Sequence, residues 1–235
     1  MPNAWRPDGY EVDPSSGRDK AFGKLIMLIV HHLSNSRSHR ILWLLEELDV
    51  PYEIRFHERK AGSHAAPETL KDIHPLGKSP VVTEADRVVA ESGAIVDYIV
   101  RRHGQGRLVP PSESWLYDEY VQWLHYAEGS AALPLIMKGT VSHLGEKWRP
   151  LKRQVDAELR NHLGYIDQSL AGHHYLVGDA FSAAYVQLSF IGELAAVRTD
   201  RSQFKHLDAW VHRLQQRPAY QAAVHKGGPY LLGNS

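Results

Sequence analysis

Six consecutive apolar residues, Leu25-Ile26-Met27-Leu28-Ile29-Val30, constrain this chain more than any other stretch. The run is far too short to span a membrane. It is also too unbroken for a strand with one wet face. Such a run reads as a strand buried on both faces, the kind found where helices cover a largely parallel sheet. The residues after it agree. His31-His32-Leu33 closes the run, and Ser34-Asn35-Ser36-Arg37-Ser38 supplies a cluster of turn and cap residues. Ile41, Leu44, Leu45 and Leu48 then fall on one helical face, and Pro51 ends the helix. Tyr52-Glu53-Ile54-Arg55-Phe56 alternates as a second strand. A strand, a helix and a strand in this order imply parallel pairing through a right-handed crossover.

A loop over residues 59–66 and a short helix over residues 67–73 are expected next. The stretch His74-Pro75-Leu76-Gly77-Lys78-Ser79-Pro80-Val81-Val82 then leads into a strand that begins at a proline, where no ladder N–H is lost. Glu84-Ala85-Asp86-Arg87 reads as a hairpin turn, Val88-Val89-Ala90 as a strand, and Glu91-Ser92 as the opening of a helix reaching about His103. If the Ser79–Pro80 bond is cis, the outward face of Ser79 and the helix start at Glu91-Ser92 come together. They then form a small polar pocket suited to a peptide-like anion. Beyond residues 104–114, with their glycines and Pro110-Pro111, strand signals stop. Four amphipathic helices come next, marked by Leu116, Tyr120, Trp123 and Leu124; by Leu151, Val155, Leu159, Ile166 and Leu170; by Val186, Leu188, Ile191 and Leu194; and by Leu207, Trp210, Val211 and Leu214 up to Pro218. The expected organisation is a polar, flexible extension over residues 1–23, a βαβαββα domain over 24–104, a linker over 105–113 and an all-helical domain over 114–235.

Several function classes are excluded or disfavoured. There is no cysteine, so disulfides, thiolate metal sites and a protein-cysteine mechanism are ruled out. Lys plus Arg equals Asp plus Glu at 27 each, which argues against a broad surface for nucleic acid or an anionic membrane. The fifteen histidines include adjacent pairs, His31-His32 and His173-His174, but no His-Glu-x-x-His helix, and no metal site is expected. Gly77-Lys78-Ser79 resembles the end of a P-loop, yet Asp72 stands where the first glycine is needed and a strand comes after it instead of a helix. Gly104-Gln105-Gly106 lacks a third glycine, and no Gly-x-Ser-x-Gly elbow occurs. The hydroxyls before the first helix are N-cap candidates. They are also placed to donate to an anion that the helix dipole favours, such as a bound thiolate.

Taken together, the first strand, the Ser-x-x-x-Arg helix start, Pro-Leu-Gly-Lys-Ser-Pro-Val-Val at 75–82, Glu-Ser-Gly-Ala-Ile at 91–95 and the all-helical second half resemble a cytosolic glutathione transferase, closest to serine-type bacterial and fungal members. Gly178-Asp179, Phe181-Ser182-Ala183-Ala184 and Arg217-Pro218-Ala219-Tyr220 extend the resemblance toward the C-terminus. The resemblance implies a thioredoxin-like first domain with Pro80 as its cis-proline. The Ser79 backbone would pair with the cysteinyl part of glutathione like an added strand. Lys78 would lie near the glycyl carboxylate, and Glu91 and Ser92 would hold the γ-glutamyl group. Ser36, four residues before Arg40, would donate to the glutathione sulfur, with Asn35 beside it in contact with glutathione; Ser34 and Ser38 are the neighbouring alternatives. An electrophile pocket between the domains would involve Leu33, Tyr120 and Trp123. Glutathione would be a co-substrate, with no permanently bound cofactor. The chain would be a cytoplasmic homodimer acting in detoxification, by addition or substitution on a small hydrophobic electrophile. Glutathione-dependent disulfide or peroxide reduction, and a non-catalytic glutathione- or partner-binding role, remain alternatives on the same fold. One departure from the family pattern is Tyr185, three residues after Ser182, where a capping aspartate is common.

Overall fold

The structure, a computed structural model, describes residues 27–60 and 65–234. The expected extension over 1–23, the first two residues of the apolar run, and residues 61–64 of the expected loop lie outside the described residues. Four strands, β1 (Leu28–Leu33), β2 (Tyr52–His57), β3 (Val81–Glu84) and β4 (Arg87–Ala90), form a mixed sheet in the order β2-β1-β3-β4. β1 and β2 are parallel, with Leu28 opposite Tyr52 and Leu33 opposite His57. β3 runs antiparallel to β1, with His31 opposite Val81, and forms a hairpin with β4. Helix α1 (Ser38–Glu47) makes the crossover and α2 (Ser92–His103) comes after β4. The short helix expected over 67–73 is a 3-10 segment, Glu68–Asp72, anchored by the buried Leu70. Six residues between Pro67 and the turn at His74-Pro75 are too few to support an α-helix.

The second half contains α3 (Trp115–Tyr126), α4 (Ala132–Val141), α5 (Arg149–Ser169), α6 (Ala183–Arg198), α7 (Lys205–Gln215) and α8 (Pro218–Gly227). Two of these, α4 and α8, are additional to the four helices expected. α4 continues from α3 through a π-helical turn, Ala127–Ala131, and tolerates Pro134 because it falls in the first turn. α8 starts with Pro218, which ends α7 and also supplies a pre-set first residue for the next helix.

α6 is the shared spine. Every residue from Ala183 to Ala195 is buried, as expected for a helix that meets neighbours on all sides. It packs on α1 and α2 of the first half and on α3, α4 and α7 of the second. One continuous core therefore runs from Leu28, Ile41 and Leu45 through Val96 and Ile99 to Tyr120, Ala184, Ile191 and Trp210. Gly192 permits the close approach of α7: a side chain there would collide with Val211 Cγ2.

Candidate active site

The loop from β1 to α1 carries a directed hydrogen-bond chain. His32 is buried, and its Nε2 lies 3.0 Å from the Gly227 carbonyl. A carbonyl only accepts, so Nε2 carries the proton and Nδ1 is an acceptor. Burial holds the His32 pKa down to about 4, which keeps the ring neutral. Ser38 Oγ, 2.9 Å from Nδ1 and 3.2 Å from the Leu33 carbonyl, has these two acceptors for its proton. Ser38 Oγ in turn accepts from the Leu33 N–H at 3.2 Å and from Ser36 Oγ at 2.8 Å. Ser36 Oγ accepts the Ser38 N–H at 3.1 Å, satisfying one of the free donors at the start of α1. The Ser36 proton thus points at Ser38 in the resting site. Next to it Asn35 sits at φ +54°, and its Oδ1 accepts the Leu231 N–H at 2.7 Å. Arg59 holds the carbonyls of Ser34 and Asn35 at 2.9 and 3.0 Å.

The opposite side is built by residues 74–80. Gly77 adopts φ +58°, and a Cβ there would lie 2.8 Å from Lys71 Cγ. The Ser79–Pro80 peptide bond is cis. Ser79 Oγ donates to the His31 carbonyl at 3.0 Å, tying the loop to β1. The Ser79 main-chain N–H and C=O find no partner among the described residues, although the residue is half-buried. Ser79 lies just before β3, a strand paired on both sides, and unpaired main-chain groups at such a strand start can bond a peptide-like ligand.

The third wall opens α2. Glu91 is its N-cap and adopts φ +69°, a left-handed conformation that costs a non-glycine residue about 1–2 kcal/mol. Such strain persists where surrounding structure enforces it, often at binding sites. Ser92 is buried, and its Oγ accepts from Gln187 Nε2 on α6 at 3.2 Å. Behind it lies an ion cluster. Arg40, 2% exposed, donates to the Gln187 carbonyl and to Glu128, which sits in the π-turn between α3 and α4. Arg37 Nε donates to the two Glu128 oxygens at 2.8 and 2.9 Å. Burial raises the Glu128 carboxyl, but the charges and hydrogen bonds of Arg40 and Arg37 outweigh it and hold the pKa below the usual carboxylate range. π-Turns inside helices are often found at functional sites; this one hands a carboxylate from the helical half to two arginines of the first half.

These walls enclose a cleft of about 240 Å³ lined by Arg37, His74, Leu76, Lys78, Ser79, Pro80, Ala90, Glu91, Ser92 and Glu128. Five expected glutathione-binding residues, Lys78, Ser79, Pro80, Glu91 and Ser92, are brought together there. Ser36 precedes Arg37 at the entry to α1, while the Asn35 side chain is turned to the C-terminal segment. Leu33 is buried at the end of β1. Tyr120 is buried with no partner for its hydroxyl among the described residues, and it borders a hollow of about 590 Å³ between α2 and α3 that shares Glu91 and Glu128 with the cleft. Trp123 is packed in the helical core, stacked on Tyr165 at 5.2 Å. Arg37 and Glu128, which line the cleft, were not identified from sequence. Among the described residues no three His, Asp or Glu side chains cluster as metal ligands. No helix among them is long and apolar enough to cross a membrane.

Sheet order, the cis-proline and the appended helices define the class: a thioredoxin-like domain followed by a helical domain. The chain belongs to the glutathione S-transferase family: residues 27–101 match its N-terminal domain and residues 120–218 its C-terminal domain. It is 35% identical to glutathione S-transferase 3 of Schizosaccharomyces pombe over 218 residues, which cover 85% of this chain and 88% of the relative. A solved glutathione S-transferase from Actinobacillus pleuropneumoniae is 29% identical with a TM-score of 0.81, over 89% of this chain and 97% of that one. A glutathione transferase family member from Pseudomonas fluorescens, solved with two glutathione bound, is 22% identical with a TM-score of 0.74, over 85% of this chain and 92% of that one.

Proposed function

We propose that this enzyme binds glutathione in the 240 Å³ cleft and activates its thiolate for attack on a small electrophile. The observation that carries the reading is the unpaired main chain of Ser79 facing a helix start, with a cation in reach at either end. Ser79 pairs with the cysteinyl unit, and Lys78 takes the glycyl carboxylate. Ser92 and the N-terminus of α2 take the γ-glutamyl carboxylate, and Glu91 faces its ammonium. Ser36 releases Ser38 and donates to the sulfur. It acts by stabilising the thiolate, not as a covalent nucleophile. The bond that forms joins glutathione sulfur to the electrophilic carbon. In a substitution the leaving group departs with the electron pair of the bond that breaks. The reading includes a cytoplasmic homodimer, two-fold pairing being the commonest symmetry for such chains.

The test compares wild type with Ser36→Ala in steady-state turnover of a halogenated nitroarene. Turnover should fall about 5- to 10-fold, the net value of a hydrogen bond to a charged group after the bond to Ser38 is given up, with glutathione affinity nearly unchanged. Unchanged turnover would remove Ser36 from its role. A second reading, glutathione-dependent disulfide reduction, draws on the Pseudomonas relative solved with two glutathione bound. Turnover of a glutathione-capped disulfide, with none of the nitroarene, would favour it.

A further inference from the structure

The end of α8 and the segment after it grip the loop that carries Ser36. The Gly227 carbonyl accepts from His32 Nε2 at the end of β1. Tyr230, 5% exposed, stacks on His39 in the first turn of α1 and donates to Glu193 on α6 at 2.6 Å. The next residue, Leu231, donates its main-chain N–H to Asn35 Oδ1 at 2.7 Å. Residues 227, 230 and 231 thus hold positions 32, 39 and 35, on both sides of Ser36 and at its immediate neighbour. Tyr230 is rooted in the core, so the segment is fixed in place where it meets Asn35. The Leu231 side chain is 70% exposed. What this residue brings to the loop is a main-chain donor, not packing.

The loop needs such a hold. Asn35 adopts φ +54°, a left-handed conformation that a side chain makes costly. Strain of this kind persists only where the surroundings enforce it. Two contacts do so at Asn35. Arg59 Nη2 donates to its carbonyl at 3.0 Å, and Leu231 donates to its side-chain oxygen. With Oδ1 already taken by Leu231, that atom is not offered to a ligand. We propose that Asn35 is a positioning residue for Ser36: tied to the Leu231 N–H, it keeps the β1–α1 turn in the left-handed conformation that presents Ser36 Oγ to the thiol. The C-terminal segment is then a working part of thiol activation, although it is remote in sequence. The inference rests on the glutathione reading above.

The test removes the bond from either side. Leu231→Pro deletes the N–H at the first residue of a 3-10 segment, Leu231–Asn234, a position where proline is tolerated. Asn35→Gly deletes the acceptor while suiting a positive φ. Amide hydrogen exchange over residues 33–38, measured without glutathione, should quicken in both variants. With glutathione and a halogenated nitroarene, turnover at pH 6 should fall about 2- to 5-fold in each, the value of one neutral hydrogen bond at the lower end of its range. It should return to the wild-type level at pH 9, because the bound thiol titrates about 0.3 to 0.7 unit higher. KM for glutathione should stay nearly unchanged. The double variant should lose no more than either single one, since both act through the same bond. Losses that multiply in the double variant would overturn the proposal. So would a raised KM at unchanged kcat, or a loss that is equal at pH 6 and pH 9, the mark of a merely structural role. If wild type does not bind glutathione, the glutathione reading fails and the proposal with it. Wild-type binding and turnover, with variants that match wild type in pH profile, would overturn the proposal alone.

Discussion

Replacing His39 by Phe should stabilise the protein, and more so in acid. His39 lies in α1 with 2% of its surface exposed. Its ring stacks on Tyr230 at 3.9 Å and meets Tyr220 edge-on at 5.2 Å, while Nε2 is buried with no partner among the described residues. Burial first, and the nearby His32 second, bring its pKa down to about 3. The unfolded chain has the ordinary value near 6.5. Below that pH the unfolded state takes up a proton that the folded state refuses, so stability falls with pH until the folded value is reached. Between pH 7 and pH 5 this amounts to about 2 kcal/mol for one histidine, at 1.36 kcal/mol per unit of pKa difference. That is a sizeable share of a typical 5–15 kcal/mol. Phenylalanine keeps both ring contacts and removes the unpaired nitrogen, whose burial costs about 1–3 kcal/mol. The variant should therefore be about 1 kcal/mol more stable at pH 7 and about 3 kcal/mol more stable at pH 5. His32 and Glu193 are present in both proteins and largely cancel in the difference. Urea unfolding from pH 7.5 to pH 5 measures it. A gap that does not change with pH would show that folded His39 titrates as in the unfolded chain, and the reasoning would be wrong.

Ser182, the N-cap of α6, makes no side-chain capping bond, and its hydroxyl is buried without a partner among the described residues. Ser182→Ala should thus shift the urea midpoint by the equivalent of less than about 0.5 kcal/mol, where a working serine cap loses about 1 kcal/mol; a full cap-sized loss would contradict the geometry. Gly77→Ala meets both a left-handed backbone and Lys71 Cγ at 2.8 Å. It should destabilise the fold by about 1 kcal/mol or more and raise KM for glutathione more than it lowers kcat, because Gly77 sets the loop that carries Lys78 and Ser79. A kcat effect with KM untouched would separate that loop from glutathione binding.

What was legible in the sequence depended on distance along the chain. Lys78, Ser79, Pro80, Glu91 and Ser92 fall within fifteen positions, joined by a hairpin whose strands show in the residue pattern, so their convergence comes from local structure. The Arg37–Glu128 pair spans 91 positions, and the Arg40–Gln187 bond spans 147. Periodicity carries no signal for a pairing of that kind, and a lone glutamate after Tyr126 looks like any solvated residue. Asn35 shows the same limit from the other side. Its position in a polar turn was readable, but its side chain is taken by Leu231, 196 positions away. Among the helices, Pro134 and Pro218 broke the pattern at α4 and α8, since proline reads as a stop unless the first-turn position is recognised.

The hydrogen-bond chain at Ser36 limits what that hydroxyl can contribute. To donate to a glutathione thiolate it must give up its bond to Ser38, a neutral bond with a net value of about 0.5–1.5 kcal/mol. The bond gained is to a charged acceptor, about 1.5–3 kcal/mol. The difference, roughly 1 to 1.5 kcal/mol, lowers a thiol pKa by about one unit. The α1 N-terminus adds about 0.3–1 kcal/mol in the same direction. A thiol that starts near 8.5 thereby reaches about 7, which leaves the bound sulfur roughly half ionised at neutral pH. Ser38 sets this limit because its single proton is directed to His32 Nδ1 at 2.9 Å and the Leu33 carbonyl at 3.2 Å and not to Ser36. Ser38→Ala removes the competing acceptor, so Ser36 reaches the sulfur without losing a bond. On the proposed reading the bound thiol in that variant titrates lower than in wild type, as followed by thiolate absorbance against pH. A higher thiol pKa in Ser38→Ala would mean that Ser38 supports Ser36 in donating, and the direction assigned to the chain would be reversed.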